Sequence, residues 1–385
     1  MVLRSRVIAA SVAALAMGVL VAGCGGDDDS SSSGGNSNAS AATQDASGGK
    51  ADAQAAVEKF QQTSGIEWPQ PTEKFDPGTG KVAVISCGNA GINCLKGSED
   101  AQKAAKAMGW TPSPIFDGEF TPAKQAGFVQ QAIQQNYDGI ILVSIDANSI
   151  KAALDAAVAK KIPIACVMCV NPDWEGKVID VSTGGVAEGE AIGSWVAANA
   201  DPSKKIVGFD DKSFPIVAER RSNAIKKISE YCPDCKVEKA DYPTTDLSKA
   251  GQPTFSGVLN ANPSGSLSVV MPPYDPAAIP MAKAAEQQGR TDFKMTGYDA
   301  SPDYLTMIKA GTGGAAATTA VPFPYSSWGA MDQVARIKAG KEPWESNRLP
   351  SALVTADNAD KFGEFGFFTP DFDFEAKFKE LWGQS

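Results

Sequence analysis

KVAVISCGNAGINCLKGSEDAQKAAKAMGW, residues 81–110, sets how the rest of the chain is read. Val82, Ala83, Val84 and Ile85 form an unbroken apolar run of strand length, the pattern of a strand covered on both faces. A loop of Gly and Asn follows, bracketed by Cys87 and Cys94. Ser98 then stands ahead of Glu99 and Asp100, a start signal that predicts a helix over 98–108. Strand, loop and helix in this order are the first half of a βαβ unit. The two cysteines admit three readings: metal ligands, redox thiols, or a staple on the loop.

Outward from this stretch the unit repeats. Thr121-Pro122 opens a predicted helix running to residue 136 with Phe128, Val129 and Ile133 inward, and 139–144 reads as a buried strand. A helix over 148–160 and a strand over 162–168 follow. The series restarts with a strand at 205–209, a helix at 215–231, a strand at 236–240, and a helix at 247–260 that runs through Pro253. Strands at 267–271 and 293–298 flank a helix at 277–288. Two such runs predict an α/β protein of two doubly wound parallel-sheet lobes, with a cleft where the carboxyl ends of both sheets face each other.

Composition narrows the function. Arg4 and Arg6 precede an uncharged run over 7–20, too short to span a bilayer and of the length of a signal-peptide core. Val21-Ala22-Gly23-Cys24 resembles the lipobox of bacterial lipoproteins. That likeness implies a signal peptide over 1–23 and a lipidated Cys24 that holds the protein at the outer face of the cell membrane. Residues 24–75 then read as a flexible tether, poor in apolar side chains, ending in a loosely packed helix over 51–62. The net charge of −10 and the lack of a basic, aromatic-interleaved stretch argue against nucleic acid. With no histidine in 385 residues, Ser-His-Asp and Cys-His nucleophile activation and His-ligated zinc are excluded. Asp173, Glu175, Asp210 and Asp211 leave a carboxylate hydrolase as an alternative, but nothing marks one of them as a general acid. No cofactor is expected.

Six residue groups then occur in one order: 81–87 with a helix ending at Met108-Gly109-Trp110, Tyr137-Asp138-Gly139-Ile140-Ile141, Lys161-Ile162-Pro163-Ile164, Ala218-Glu219-Arg220, Tyr274-Asp275, and Thr296-Gly297-Tyr298-Asp299-Ala300-Ser301-Pro302. Over 81–354 this series resembles the ribose-binding-like (type I) periplasmic binding proteins, the solute receptors of ABC importers. The resemblance implies three crossings between lobes, near 182–184, 320–322 and 353–355. It places the first lobe at 80–182 plus 322–353 and the second at 183–321 plus 354–385. It further implies a monomer that closes by hinge motion on one small molecule and presents it to importer permease subunits.

Family contact positions carry over to Cys87, Asn89 and Asn93 after the first strand and to Met168 and Cys169 after the fourth. In the second lobe they carry over to Phe214, Ala218, Tyr242, Tyr274 and Asp299, and at a crossing to Val321 and Phe323. Asp299 matches the acid that receives a sugar hydroxyl. Two departures matter: Met168-Cys169 stands where sugar-binding members carry Asp-Arg, and Ala218 where they carry Arg, with Arg220 two positions on. The expected lining therefore lacks charged hydroxyl clamps, which argues against a ribose-like ligand and suits a flatter, less polar cyclic or aromatic one, while the resemblance itself implies a sugar-like ligand. A receptor of the same fold that reports to a membrane kinase is the competing binding function.

Six cysteines besides Cys24 fall in three near pairs, Cys87 and Cys94, Cys166 and Cys169, Cys232 and Cys235. An even number outside the cytoplasm favours disulfides, and local pairing is entropically simplest. A four-thiolate zinc site in the first lobe and a thiol oxidoreductase at Cys232-Pro-Asp-Cys235 are the alternatives.

Overall fold

In the computed structural model residues 38–249 and 252–384 are described, with side chains from residue 48 onward. The expected signal segment and Cys24 lie outside the described residues.

The first sheet is parallel throughout, in the order β2-β1-β4-β5-β6 with β3 also on β1. Its strands are β1 (Lys81–Ser86), β2 (Thr111–Pro112), β3 (Phe116–Asp117), β4 (Gly139–Val143), β5 (Ile164–Val167) and β6 (Ile179–Val181). The apolar run that opened the sequence is continuous because both faces are covered. Val82 and Val84 pack with α2 (Ile92–Met108) on one side, while Ala83 and Ile85 pack against α3 (Pro122–Gln134) and α4 (Lys151–Ala159) on the other.

Helix α2 begins at Ile92, not at Ser98 as expected. Ser98 is fully buried, and its hydroxyl donates to the Cys94 carbonyl one turn back at 2.7 Å. The cap-like residue is thus an interior one bonding along its own helix.

The second sheet runs β12-β11-β10-β9-β7-β8. It is built from β7 (Lys205–Asp210), β8 (Val237–Asp241), β9 (Leu267–Met271), β10 (Lys294–Thr296), β11 (Ala315–Ala320) and β12 (Ala352–Thr355), the last antiparallel to β11. One face is covered by α5 (Val186–Asn199) and α6 (Pro215–Tyr231), and the other by α7 (Pro253–Ala261), α8 (Asp275–Gln287) and α9 (Pro302–Ala310). The expected helix through Pro253 instead starts there, since a proline is at home in a first turn and not in an interior.

Helix α5 carries no amphipathic stripe because ten of its residues are buried, between the sheet and α6. Gly189 and Gly193 allow that approach: a Cβ on Gly193 would lie 2.5 Å from the Ala224 carbonyl oxygen, and one on Gly189 would strike that of Arg220.

After β11 the chain enters α10 (Phe323–Lys338), which lies on α2 and the first sheet, and then returns to the second sheet as β12. The return runs beside the first crossing: Ser182 N–H donates to the Ser346 carbonyl at 2.9 Å, and Leu349 N–H to the Ser182 carbonyl at 2.8 Å. It therefore falls ahead of β12, earlier than the expected 353–355.

The end of the chain also differs from expectation. Helix α11 (Phe374–Leu381) packs on α10 and α2, with Trp382 stacked on Trp328 at 5.5 Å and Lys103 paired with Glu375 at 2.5 Å. The reason is aromatic: Tyr325, Trp328, Phe374, Phe378 and Trp382 pair ring to ring, and the contact removes apolar ring surface from water.

The N-terminal helix, expected to pack loosely, is α1 (Asn38–Phe60), and Ala53 and Val57 are buried among Ile192, Trp195 and Val196 of α5. Beyond it the chain crosses to the first sheet's helices. Gln61 Nε2 donates to Thr355 Oγ1 at 2.9 Å, the Tyr325 hydroxyl to the Pro69 carbonyl at 2.6 Å, and Trp110 Nε1 to the Pro77 carbonyl at 3.1 Å.

Candidate functional site

In a doubly wound sheet the loops that leave the carboxyl ends of the strands are the ones free to bind. In the first lobe the loop after β1 is held by the Cys87 N–H, which donates to the Val143 carbonyl at 3.0 Å, and by the Asn89 N–H, which donates to Asp117 Oδ1 at 2.9 Å. Cys87 and Cys94 sit with their sulfurs in contact and Cα atoms 5.9 Å apart. Asn89 Oδ1 and Asn93 Oδ1 are both buried and accept no hydrogen bond among the described residues. A buried acceptor without a donor is costly, so this loop carries two oxygens suited to a ligand's O–H or N–H.

Sequence reasoning missed a neighbour of this loop. Phe120 lies over it so closely that a Cβ on Gly88 would be 2.7 Å from its ring. Phe120 is 41% exposed, the one exposed large hydrophobic residue among those described, and both it and Glu119 have positive φ, at 52° and 47°. No local signal in GEFTP announces this, because the strain depends on Phe120 N–H donating across to the Cys87 carbonyl at 2.7 Å.

After β5, Met168 adopts φ 53° and is buried, its sulfur 3.7 Å from the Ser326 hydroxyl on α10. Cys166 and Cys169 lie side by side, with Cα atoms 5.7 Å apart. Close by, Asp180 on β6 is pushed up to about 6, by burial above all, with the N–H groups of Val170 and Cys169 and the Ser182 hydroxyl pulling the other way.

The second lobe brings together residues far apart in sequence. Phe214 precedes α6, Tyr242 follows β8 and Tyr274 precedes α8, and the rings meet edge to face at 5.8 Å (Phe214 and Tyr274) and 6.4 Å (Tyr242 and Tyr274). Both tyrosine hydroxyls are engaged: Tyr274 donates to Asp211 Oδ2 at 2.7 Å and Tyr242 to Gln252 Oε1 at 2.8 Å. Burial first, and then nearby carboxylates including Asp211, raise both phenols above their ordinary range. They stay protonated and offer ring surface in preference to free hydroxyls.

Asp299 sits after β10 with φ 95°, and its Oδ1 accepts from Arg220 Nη2 at 2.7 Å. The sequence predicts a lining without charged clamps, with Ala218 at the position where sugar-binding relatives carry Arg. In the structure Ala218 is the exposed residue, and Arg220, about 200° further round the helix, is buried against Asp299 and Glu188. The second lobe therefore does hold a buried charged pair at this position. Beside it, Asp275 is raised well above an ordinary carboxyl, by burial first and then by the charge of Asp299. It accepts from Ser301 N–H at 2.7 Å and from the Thr318 hydroxyl at 2.8 Å.

At the second crossing Val321 is buried and its carbonyl accepts from Phe368 N–H at 3.1 Å, while Phe323 packs on Gly97 and at 5.8 Å from Phe367. Of the expected contacts, then, Phe214, Tyr242 and Tyr274 form one aromatic group and Asp299 stands in a buried ion network. Met168, Val321 and Phe323 are packed among apolar neighbours. The arrangement can hold and orient a small molecule. Its carboxylates are tied into hydrogen bonds, Asp211 with Tyr274 and Thr244 and Asp299 with Arg220.

Residues 94–342 match the family model described as periplasmic binding protein domain. The ribose import binding protein of Salmonella typhimurium is 22% identical over 216 residues, which is 55% of this chain and 70% of that protein. An ABC transporter solute binding protein from Agrobacterium vitis, solved with bound allitol, superposes with a TM-score of 0.64 at 18% identity, covering 74% of this chain and 97% of that one. The Caulobacter myo-inositol binding protein, solved with myo-inositol, gives a TM-score of 0.63 at 20% identity, covering 76% and 98%. At such identities the likeness is one of fold.

Proposed function

The chain belongs to the periplasmic binding protein domain family, a family of binding proteins and not of enzymes, and on that premise we propose that it is the solute receptor of an ABC importer. It works outside the cytoplasm, held to the membrane through lipidated Cys24, and takes a sugar- or polyol-like ligand with a ring face. The observation that carries this reading is the pairing of Asp299 with Arg220 beside the Phe214, Tyr242 and Tyr274 rings. A carboxylate fixed by a guanidinium accepts hydroxyl hydrogen bonds in a set direction, and rings cover the apolar face of a sugar or cyclic polyol. Asn89 and Asn93 supply acceptors from the first lobe. The likeness to a ribose import binding protein and to proteins solved with allitol and myo-inositol supports the same ligand class.

Within this reading the lobes divide at the crossings near residues 182, 321 and 350, and the three cysteine pairs are disulfides. Closure on the ligand brings Asn89 and Asn93 toward Asp299, and the permease subunits read the closed form.

A thermal-shift screen of the purified protein against ribose, allitol, myo-inositol, glycerol and aromatic acids tests the proposal. A saturable rise in Tm with at least one sugar or polyol, lost in Asp299→Ala, is the expected result. No rise with any of them, or an equal rise in Asp299→Ala, overturns the assignment of this site.

A further inference from the structure

We infer that Glu188, acting through Arg220 and Thr183, is a positioning residue that ties the Asp299 carboxylate to the first crossing between the lobes. The inference rests on the reading of Asp299 as a ligand contact. A ligand donor on Asp299 then acts on the segment about which the lobes turn.

The connection is continuous. Arg220 Nη2 reaches Asp299 Oδ1 at 2.7 Å, Arg220 Nε reaches Glu188 Oε1 at 2.8 Å, and Arg220 Nη2 bonds the same Glu188 oxygen. The other Glu188 oxygen, Oε2, accepts from the Thr183 hydroxyl. Glu188 is fully buried, Thr183 1% exposed and Arg220 4% exposed, so water does not compete between Arg220 and Thr183. Thr183 Oγ1 in turn accepts from Gly185 N–H at 3.3 Å.

The far end of this chain of contacts is the hinge. Gly184 and Gly185 take φ 66° and 71°, a conformation open to glycine. A Cβ on Gly184 would lie 2.7 Å from the Asn347 carbonyl oxygen, so the first crossing runs hard against the returning one. Ser182 bonds to Ser346 and Leu349 across the same seam.

Charge explains why the network communicates and does not merely hold. Two carboxylates share one guanidinium, which leaves one negative charge in excess inside the protein. Donors must meet that excess at the two ends: the Thr183 hydroxyl meets it at the hinge. At the other end the Asp299 side chain is 16% exposed, with Oδ1 on Arg220, so a partner from outside the protein can reach it. A ligand hydroxyl there replaces water as the donor, and because hydrogen bonds in a low-dielectric chain polarise one another, the change is felt at Thr183. On the proposed receptor reading the path acts on a two-state element, the opening and closing of the lobes.

Hydrogen exchange on the full unliganded chain tests this without a ligand. Asp299→Asn keeps the side-chain shape and removes the charge. It should speed exchange of the amides at 182–185 by about tenfold, although residue 299 does not touch them. In a Thr183→Val background the same substitution should add less than about twofold, and Thr183→Ser should restore the response. Glu188→Gln should mimic Asp299→Asn at these amides. An unchanged rate at 182–185 in Asp299→Asn, or a full response persisting in Thr183→Val, overturns the inference. Should Asp299→Asn not fold, Glu188→Gln with and without Thr183→Val decides on the same criterion. Failure of myo-inositol and the other polyols to bind would count against the proposed ligand class and leave the exchange result standing.

Discussion

The Tyr274 hydroxyl donates to Asp211 Oδ2 at 2.7 Å, and Thr244 donates to the same oxygen at 2.9 Å. Tyr274 is therefore committed to its own lobe, and what it offers a ligand is its ring. Tyr274→Phe is expected to lower stability by about 1 to 2 kcal/mol, since a buried carboxylate loses a donor, while ligand affinity changes less than about threefold. Tyr274→Ala, which removes the ring, should cost roughly ten- to a hundredfold in affinity. Urea unfolding and calorimetric titration separate the two effects. A larger affinity loss in Tyr274→Phe than in Tyr274→Ala would contradict the assignment.

Asn89 and Asn93 should show the opposite signature. Their Oδ1 atoms are buried without a donor, so Asn93→Leu removes no intramolecular bond made by that oxygen and is expected to leave stability within about 0.5 kcal/mol. Affinity should fall by about ten- to a hundredfold if the ligand supplies the missing donor. Equal binding by Asn93→Leu would remove the first-lobe loop from the site.

The three cysteine pairs have Cα separations of 5.9, 5.7 and 5.3 Å, all within the range a disulfide spans. Non-reduced protein from an oxidising compartment is expected to weigh about 6 Da less than the fully reduced form, two hydrogens for each bridge. Replacing Cys87 and Cys94 together with alanine should cost about 2 to 3 kcal/mol, from the freedom restored to a loop rich in Gly and Asn. It should also weaken binding, because that loop would then be ordered by the ligand. Free thiols with bound zinc in the exported protein would revive the metal reading.

A pH dependence follows from Asp180, raised to about 6 chiefly by burial. Its folded value lies above its unfolded one, so its contribution is most favourable below about pH 4 and is lost as pH rises towards 6, levelling off above. Asp180→Asn is expected to be more stable than the parent at pH 7, by up to about 3 kcal/mol, with the difference shrinking to near zero by about pH 4. Thermal unfolding of both proteins between pH 4 and pH 8 measures it. A constant difference across that range would show that Asp180 titrates normally.

How much of this was legible locally varies from residue to residue. Val82 to Ile85 announced a doubly covered strand because a strand buried on both faces must be apolar at every position, and the same holds for Gly139–Val143. Helix α5 escaped detection for the converse reason: buried nearly all round, it has no polar face to set a period. Ser98 has the chemistry of a cap and so reads locally as the start of α2, and only the tertiary environment shows that it is interior.

The amino-acid sequence by itself determined the class of the protein. Missing histidine excluded whole families of catalysis, alternating βαβ signals imposed parallel sheets, and the order of six short groups pointed to one family. What only the tertiary structure decided was partnership. Arg220 and Asp299 are 79 residues apart, and nothing in either neighbourhood specifies the other. They meet because strand order in the second sheet brings the loop after β10 beside α6, and because one step along a helix turns a side chain by about 100°. The same limit applies to the C-terminal helix, whose rings found Trp328 and Tyr325 in the first lobe and not the sheet they had just left. Local chemistry sets which elements form; the packing of distant faces against one another sets which residues share a site.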